Sequence, residues 1–120
     1  MYTILVIDDD VDYRENLTEI LEFENYKALT AENGLIGLEM VRQHGPNLIV
    51  CDVDMPVMNG IEVLKAVKAD PTFAKIPFIV ATGSSDSLTV NTAYELGAES
   101  CLAKPVSIPG FLAAIGALLQ

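Results

Sequence analysis

Four polar stretches in this sequence each come directly after an apolar run. Asp8-Asp9 follows Ile4-Leu5-Val6-Ile7, Asp52 follows Leu48-Ile49-Val50-Cys51, Thr82 follows Phe78-Ile79-Val80-Ala81, and Lys104 follows Glu99-Ser100-Cys101-Leu102-Ala103. If the runs are parallel strands, these ends share one edge of a sheet, and carboxylates, a hydroxyl and an ammonium group converge there. Polar residues also end strands for ordinary reasons, but turns draw on Gly, Asn or Ser more naturally than on three carboxylates and a lysine. Crowded carboxylates repel one another, which raises at least one pKa or demands a counter-ion. Magnesium meets that demand, since it takes one or two carboxylates, several waters and a phosphate oxygen. Asp9 and Asp52 suit it, with Asp8 held one water away. Lys104 cannot ligate a metal, but it neutralises an added phosphoryl oxygen, and Thr82 donates a hydrogen bond to another. Carboxylate nucleophile, divalent metal, lysine and hydroxyl are together the parts for phosphoryl transfer onto Asp52.

The elements that must position these groups alternate. Leu48 to Cys51, bounded by Asn47 and by Pro56 and Gly60, is continuous rather than alternating in polarity, as a buried parallel strand is. After Asp12, a plausible N-cap, the residues Tyr13, Leu17, Ile20 and Leu21 recur at helical spacing. A weaker extended piece, Tyr26 to Ala31, leads through Asn33-Gly34 into a helix with Leu38 and Val41 inward, ending at Gly45-Pro46. Gly60 to Ala69 spaces Ile61, Leu64 and Val67 helically and stops at Asp70-Pro71. Residues 85–96 read as a fourth helix closed by Gly97. Ser107 caps a fifth, with Pro109 in its first turn and Ile108, Phe111, Leu112, Ile115, Leu118 and Leu119 as its apolar positions. Five such units predict right-handed βαβ crossovers and one α/β domain over residues 1–120. The expected architecture is a doubly wound, flavodoxin-like (βα)5 three-layer sandwich, its parallel sheet in the order 2-1-3-4-5 with a ligand site beyond strands one and three.

Composition narrows the function. Seventeen acids against seven bases give a formal net charge of -10, which repels nucleic acid and anionic lipid. No apolar stretch approaches the roughly 20 residues of a membrane span. The amino terminus has no basic segment before its apolar run, so a cytoplasmic location is expected. Cys51 and Cys101 lie in apolar runs without Cys-x-x-Cys spacing and read as buried, reduced thiols. His44, beside Gly45-Pro46, reads as a solvent-facing loop residue.

Asp8-Asp9, Asp52-Val53-Asp54-Met55-Pro56-Val57-Met58-Asn59-Gly60, Thr82 and Lys104-Pro105 stand in the order and spacing of a known family. The sequence resembles the receiver domain of two-component response regulators, of which the chemotaxis receiver is the single-domain example, and does so over nearly the whole chain. The resemblance implies that Asp52 is the phosphoacceptor, supplied by a sensor histidine kinase or a histidine phosphotransfer protein. It implies Mg2+, or Mn2+ in its place, bound by the side chains of Asp9 and Asp52 and the backbone carbonyl of Asp54. Lys104 would pair with the phosphoryl group, Thr82 would shift toward it, and Lys104-Pro105 would be cis. The output is expected on the face formed by the fourth helix, fifth strand and fifth helix, and such a domain catalyses only its own phosphorylation and dephosphorylation.

The sequence departs from that pattern in three places. Cys101 occupies the position, three before the lysine, where the family usually has an aromatic switch residue. Gly83 replaces a common alanine and should loosen its loop. Asp54 adds a carboxylate beside the site and is expected to alter phosphoryl lifetime. The outward residues of the last helix, Gly110, Ala113, Ala114, Gly116 and Ala117, are small and uncharged, which leaves room for a homodimer through that output face.

Three other readings fit less well. Asp52-x-Asp54 is similar to the opening motif of haloacid-dehalogenase-type phosphatases, but that motif normally opens on the first strand and needs Thr or Val where Pro56 stands. It also needs a late acidic motif, and no acid follows Lys104. Asp8, Asp10, Asp12 and Glu19 match positions of a calcium loop, yet Tyr13 occupies the required glycine and a strand precedes the loop. A degenerate receiver serving only for docking is disfavoured by the full acid, hydroxyl and lysine set.

Overall fold

The computed structural model describes residues 1–83 and 87–119. Among them, five strands and five helices alternate: β1 (Thr3–Ile7), α1 (Val11–Phe23), β2 (Lys27–Ala31), α2 (Gly34–His44), β3 (Leu48–Asp52), α3 (Gly60–Ala69), β4 (Phe78–Thr82), α4 (Ser87–Glu95), β5 (Ser100–Ala103) and α5 (Ile108–Leu118). The strands form one parallel sheet in the order β2-β1-β3-β4-β5. This is the doubly wound, flavodoxin-like three-layer fold that the alternation predicts. Within the described residues no helix is long and apolar enough to cross a membrane.

Strand periodicity divides the core into two layers. Leu5, Ile7, Ile49, Cys51, Phe78 and Val80 face one way, against Leu38 and Val41 of α2, Val63, Leu64 and Val67 of α3, and Ala93 of α4. Ile4, Val6, Leu48, Val50 and Ile79 face the other way, against Leu17 and Leu21 of α1 and Phe111 and Ile115 of α5. Every residue of β3 is buried, so its apolar run has no polar face to show.

Helix starts are set by side chains that satisfy free amide donors. Asn59 and Glu62 form a reciprocal capping box on α3. Ser107 caps α5, with Pro109 in its first turn as expected. The cap of α1 is Asp10 rather than Asp12: its side chain accepts from the Asp12 and Tyr13 amides, and Asp12 is a first-turn acid. Of the helix expected over 85–96, Ser87–Glu95 is helical, and residues 85 and 86 lie outside the described residues. His44 closes α2 as an exposed last-turn residue instead of lying in a loop. Two positions on α5 differ from expectation: Ile108, read as apolar and inward, is 52% exposed, and Ala114, read as outward, packs partly against the α1/α5 layer.

One backbone outlier sits just beyond the acidic edge. Val57 has φ of 71°, a left-handed conformation that is costly for a β-branched side chain, and it is 76% exposed, so little packing compensates. Replacing it with Asn, which tolerates this region, should stabilise the protein by about 1 kcal/mol. Urea unfolding checks this; a lower midpoint for Val57→Asn would show that the valine is held there by contacts stronger than the strain.

Candidate functional site

The site begins with strand register. Ile7 pairs with Cys51 between β1 and β3, so the next residues, Asp8 and Asp52, emerge side by side. Continuing the alternation of Ile4 and Val6, and of Leu48 and Val50, places both acids on the α1/α5 side of the sheet. Both are buried, at 1% and 5% exposure. The Asp8 backbone is pinned on both sides: its N–H donates to Ala31 O at 3.1 Å, and its carbonyl accepts from Arg14 Nη1 at 2.7 Å. The chain beyond Asp52 turns tightly, with the Gly60 N–H donating to Val53 O at 3.0 Å. A Cβ at Gly60 would collide with the Asp52 carbonyl, so glycine is what lets α3 start against the end of β3.

Asp8, Asp9 and Asp52 each bring a carboxylate oxygen within 4.8 Å of the others, with Asp9 the exposed member. Lys104 reaches in from the end of β5, its Nζ 2.8 Å from Asp8 Oδ2 and 3.3 Å from Asp52 Oδ1. One ammonium against three carboxylates leaves the cluster negative. Burial, then the charge of Asp8, raises the pKa of Asp52; Lys104 and the Asp54 amide pull it back only in part. Burial works against the charge on Lys104, but its hydrogen bond to Asp8 and the charges of both carboxylates outweigh it, so the lysine pKa is raised. A surplus of close, oxygen-only donors is the chemistry a hard divalent cation takes, so these residues fit a magnesium-type ion.

The remaining expected residues stand around this cluster. Thr82 is buried at the end of β4, and its carbonyl accepts the Lys104 N–H at 2.8 Å. Asp54 is exposed, and its N–H donates to Asp52 Oδ1 at 3.4 Å. The Lys104-Pro105 peptide is cis. Asp8, read from sequence as a water-separated neighbour of the metal, is the direct partner of Lys104. Both cysteines are free thiols, Cys51 fully buried and Cys101 only half-buried, because β5 is an edge strand. The Cys101 N–H donates to Tyr94 Oη at 3.1 Å, so an aromatic side chain of α4 reaches the β5 edge although position 101 itself carries none.

Helical spacing places Tyr13 only on the inner face of α1. Its ring also lies against Lys104, with Nζ 4.3 Å from the ring centroid. The available signal was its place in the first turn of a helix that starts immediately after Asp8-Asp9. Tyr13 further lines an apolar groove of about 430 Å³ between α1 and α5, together with Leu17, Ile20, Val106, Ile108 and Phe111.

Comparison with known proteins agrees with this geometry. The family model "Response regulator receiver domain" matches residues 4–116. The probable chemotaxis protein CheY of Rhizobium etli is 36% identical over 116 residues, covering 96% of this chain and 90% of that protein. The transcriptional regulatory protein CpxR homolog of Haemophilus influenzae is 34% identical over 120 residues, and the chain spans 51% of its length. Among solved structures, chemotaxis protein CheY4 of Vibrio cholerae superposes with a TM-score of 0.93 at 27% identity, over 99% of both chains. The signal receiver domain of a signal transduction histidine kinase from Syntrophus aciditrophicus gives 0.92 at 30% identity, over 99% of this chain and 90% of that one. With its fold, its acidic edge and a match along nearly its whole length, the chain belongs to the response regulator receiver domain family of two-component signalling.

Proposed function

We propose that this receiver accepts a phosphoryl group on Asp52 from a phosphohistidine of a sensor kinase or histidine phosphotransfer protein, and that the acyl phosphate is its signalling state. The observation that carries this reading is the convergence of Asp8, Asp9 and Asp52 on one edge, with Lys104 within reach of two of them. A carboxylate oxygen of Asp52 attacks phosphorus, the P–N bond of the donor breaks, and its electron pair returns to the imidazole. Lys104 has N–H donors to offer the incoming phosphoryl oxygens, and the Thr82 hydroxyl at the neighbouring strand end is placed to donate to another. Asp9, Asp52 and the Asp54 carbonyl would hold Mg2+, or Mn2+ in its place, which when bound offsets charge on the transferring group. Attack of water on phosphorus returns Asp52 to a carboxylate with release of phosphate, so the chain turns over only its own modification.

The output surface is the α4-β5-α5 face, where the usual aromatic of β5 is replaced by Cys101 and Tyr94 supplies an aromatic contact from α4. Gly110, Ala113 and Ala117 are exposed on α5 and permit close approach of a second copy there.

Four outcomes test these assignments. Incubation with magnesium and acetyl phosphate should add one phosphoryl group to the intact mass of the native chain and none to Asp52→Asn; a gain of the same size in Asp52→Asn would contradict the assignment. Magnesium competes with protons for Asp52, whose pKa is raised. The metal-induced rise in melting temperature should therefore be full at neutral pH and shrink as pH falls through that raised value; a pH-independent rise would place the ion elsewhere. If Asp54 orients the attacking water, Asp54→Asn lengthens the acyl phosphate lifetime several-fold, and an unchanged decay rate removes that role. Sedimentation with and without phosphorylation checks the homodimer, which a concentration-independent monomer in both states would exclude.

A further inference from the structure

Lys104 carries a flexible four-carbon stem, and its ammonium lies 2.8 Å from Asp8 Oδ2 and 3.3 Å from Asp52 Oδ1. Only part of its side chain is covered, with 21% still exposed. Those two hydrogen-bonding partners alone leave the ammonium free to follow Asp8 or to swing outward. The face of Tyr13 is the further neighbour, 4.3 Å from Nζ to the ring centroid. We infer that Tyr13 is a positioning residue for phosphoryl transfer: its ring holds the Lys104 ammonium over the gap between Asp8 and Asp52, where the transferred phosphoryl group arrives.

This inference rests on the phosphoacceptor reading of Asp52. The type of contact suits the task. Lys104 has three N–H donors, and must move one or more from the carboxylates to the phosphoryl oxygens as transfer proceeds. A further carboxylate on its open side would compete for those donors and pull the charge away. A ring attracts the cation through its quadrupole, so the ammonium can shift across it while its donors change partners. Tyr13 is itself well fixed, since its own N–H donates to the Asp10 cap at 3.2 Å and α1 begins directly after the acids. The contact runs from the ring face to the ammonium and does not involve the hydroxyl, which is buried with no hydrogen-bond partner among the described residues. Phenylalanine should therefore replace it and leucine should not.

Two readouts on Tyr13→Phe and Tyr13→Leu test this. In proton NMR of the metal-free protein, the Lys104 Hε resonances should be shifted upfield by the ring in the native chain and in Tyr13→Phe, and should return to ordinary lysine positions in Tyr13→Leu. With magnesium and acetyl phosphate, Tyr13→Phe should be phosphorylated at the native rate and Tyr13→Leu roughly three- to tenfold more slowly, with the amide spectrum showing both variants folded. Native-rate phosphorylation of Tyr13→Leu would overturn the inference, as would equal slowing of both variants or the absence of an upfield shift in the native chain. If the native chain gains no phosphoryl group, the phosphoacceptor reading fails by itself, and the Lys104 shift still decides whether Tyr13 holds the lysine.

Discussion

Repulsion between buried carboxylates at the carboxyl edge of the sheet is the constraint on which the rest of this structure depends. Asp8 and Asp52 emerge side by side because β1 and β3 are in parallel register, and burial together with the charge of Asp8 raises the cost of charging Asp52. Lys104 relieves part of that cost from the far end of the sheet, 96 residues from Asp8 in sequence. A surplus of negative charge remains, and a hard divalent cation is the counter-ion that such close, oxygen-only donors could hold.

The scaffold is arranged to hold that unfavourable cluster in place. Two apolar layers clamp the central strands from both faces, so β1 and β3 cannot slip to separate the acids without moving every residue beneath them. Gly60 lets α3 begin directly against the Asp52 carbonyl, and the Asn59 and Glu62 capping box fixes that start. At the opposite edge of the sheet, Lys68 donates to the Ala74 and Ile76 carbonyls and pairs with Glu99, which in turn accepts the Phe78 N–H. That clasp ties the starts of β4 and β5 together, and with them the distant ends that carry Thr82 and Lys104. Stability far from the site thus sets geometry within it.

Much of this was legible in the sequence, for a physical reason. Continuous apolar runs bounded by Asn, Pro and Gly identify buried parallel strands, and such strands put all their carboxyl ends on one edge, which groups Asp8, Asp9, Asp52, Thr82 and Lys104 from the sequence alone. What escaped depends on phase and on distance in sequence. Asp10 and Asp12 are both chemically able to cap α1, and only the path of the chain out of β1 chooses Asp10. Ile108 fits the helical period of α5 but lies in the first turn, where it is 52% exposed. Cys101 sits in an apolar run like those of central strands, yet β5 has a neighbour on one side only. Contact of Tyr13 with Lys104 joins two segments that no local pattern relates.

On the proposed reading, the convergent edge makes Asp52, and no other acid of the cluster, a phosphoacceptor. Borohydride reduction of the phosphorylated protein converts an acyl phosphate to the corresponding alcohol, and peptide mass mapping locates it. The converted residue is expected at Asp52 alone, in the magnesium-containing reaction. Conversion at Asp9 or Asp54, or a phosphoryl group stable to borohydride on a serine or threonine, would contradict it.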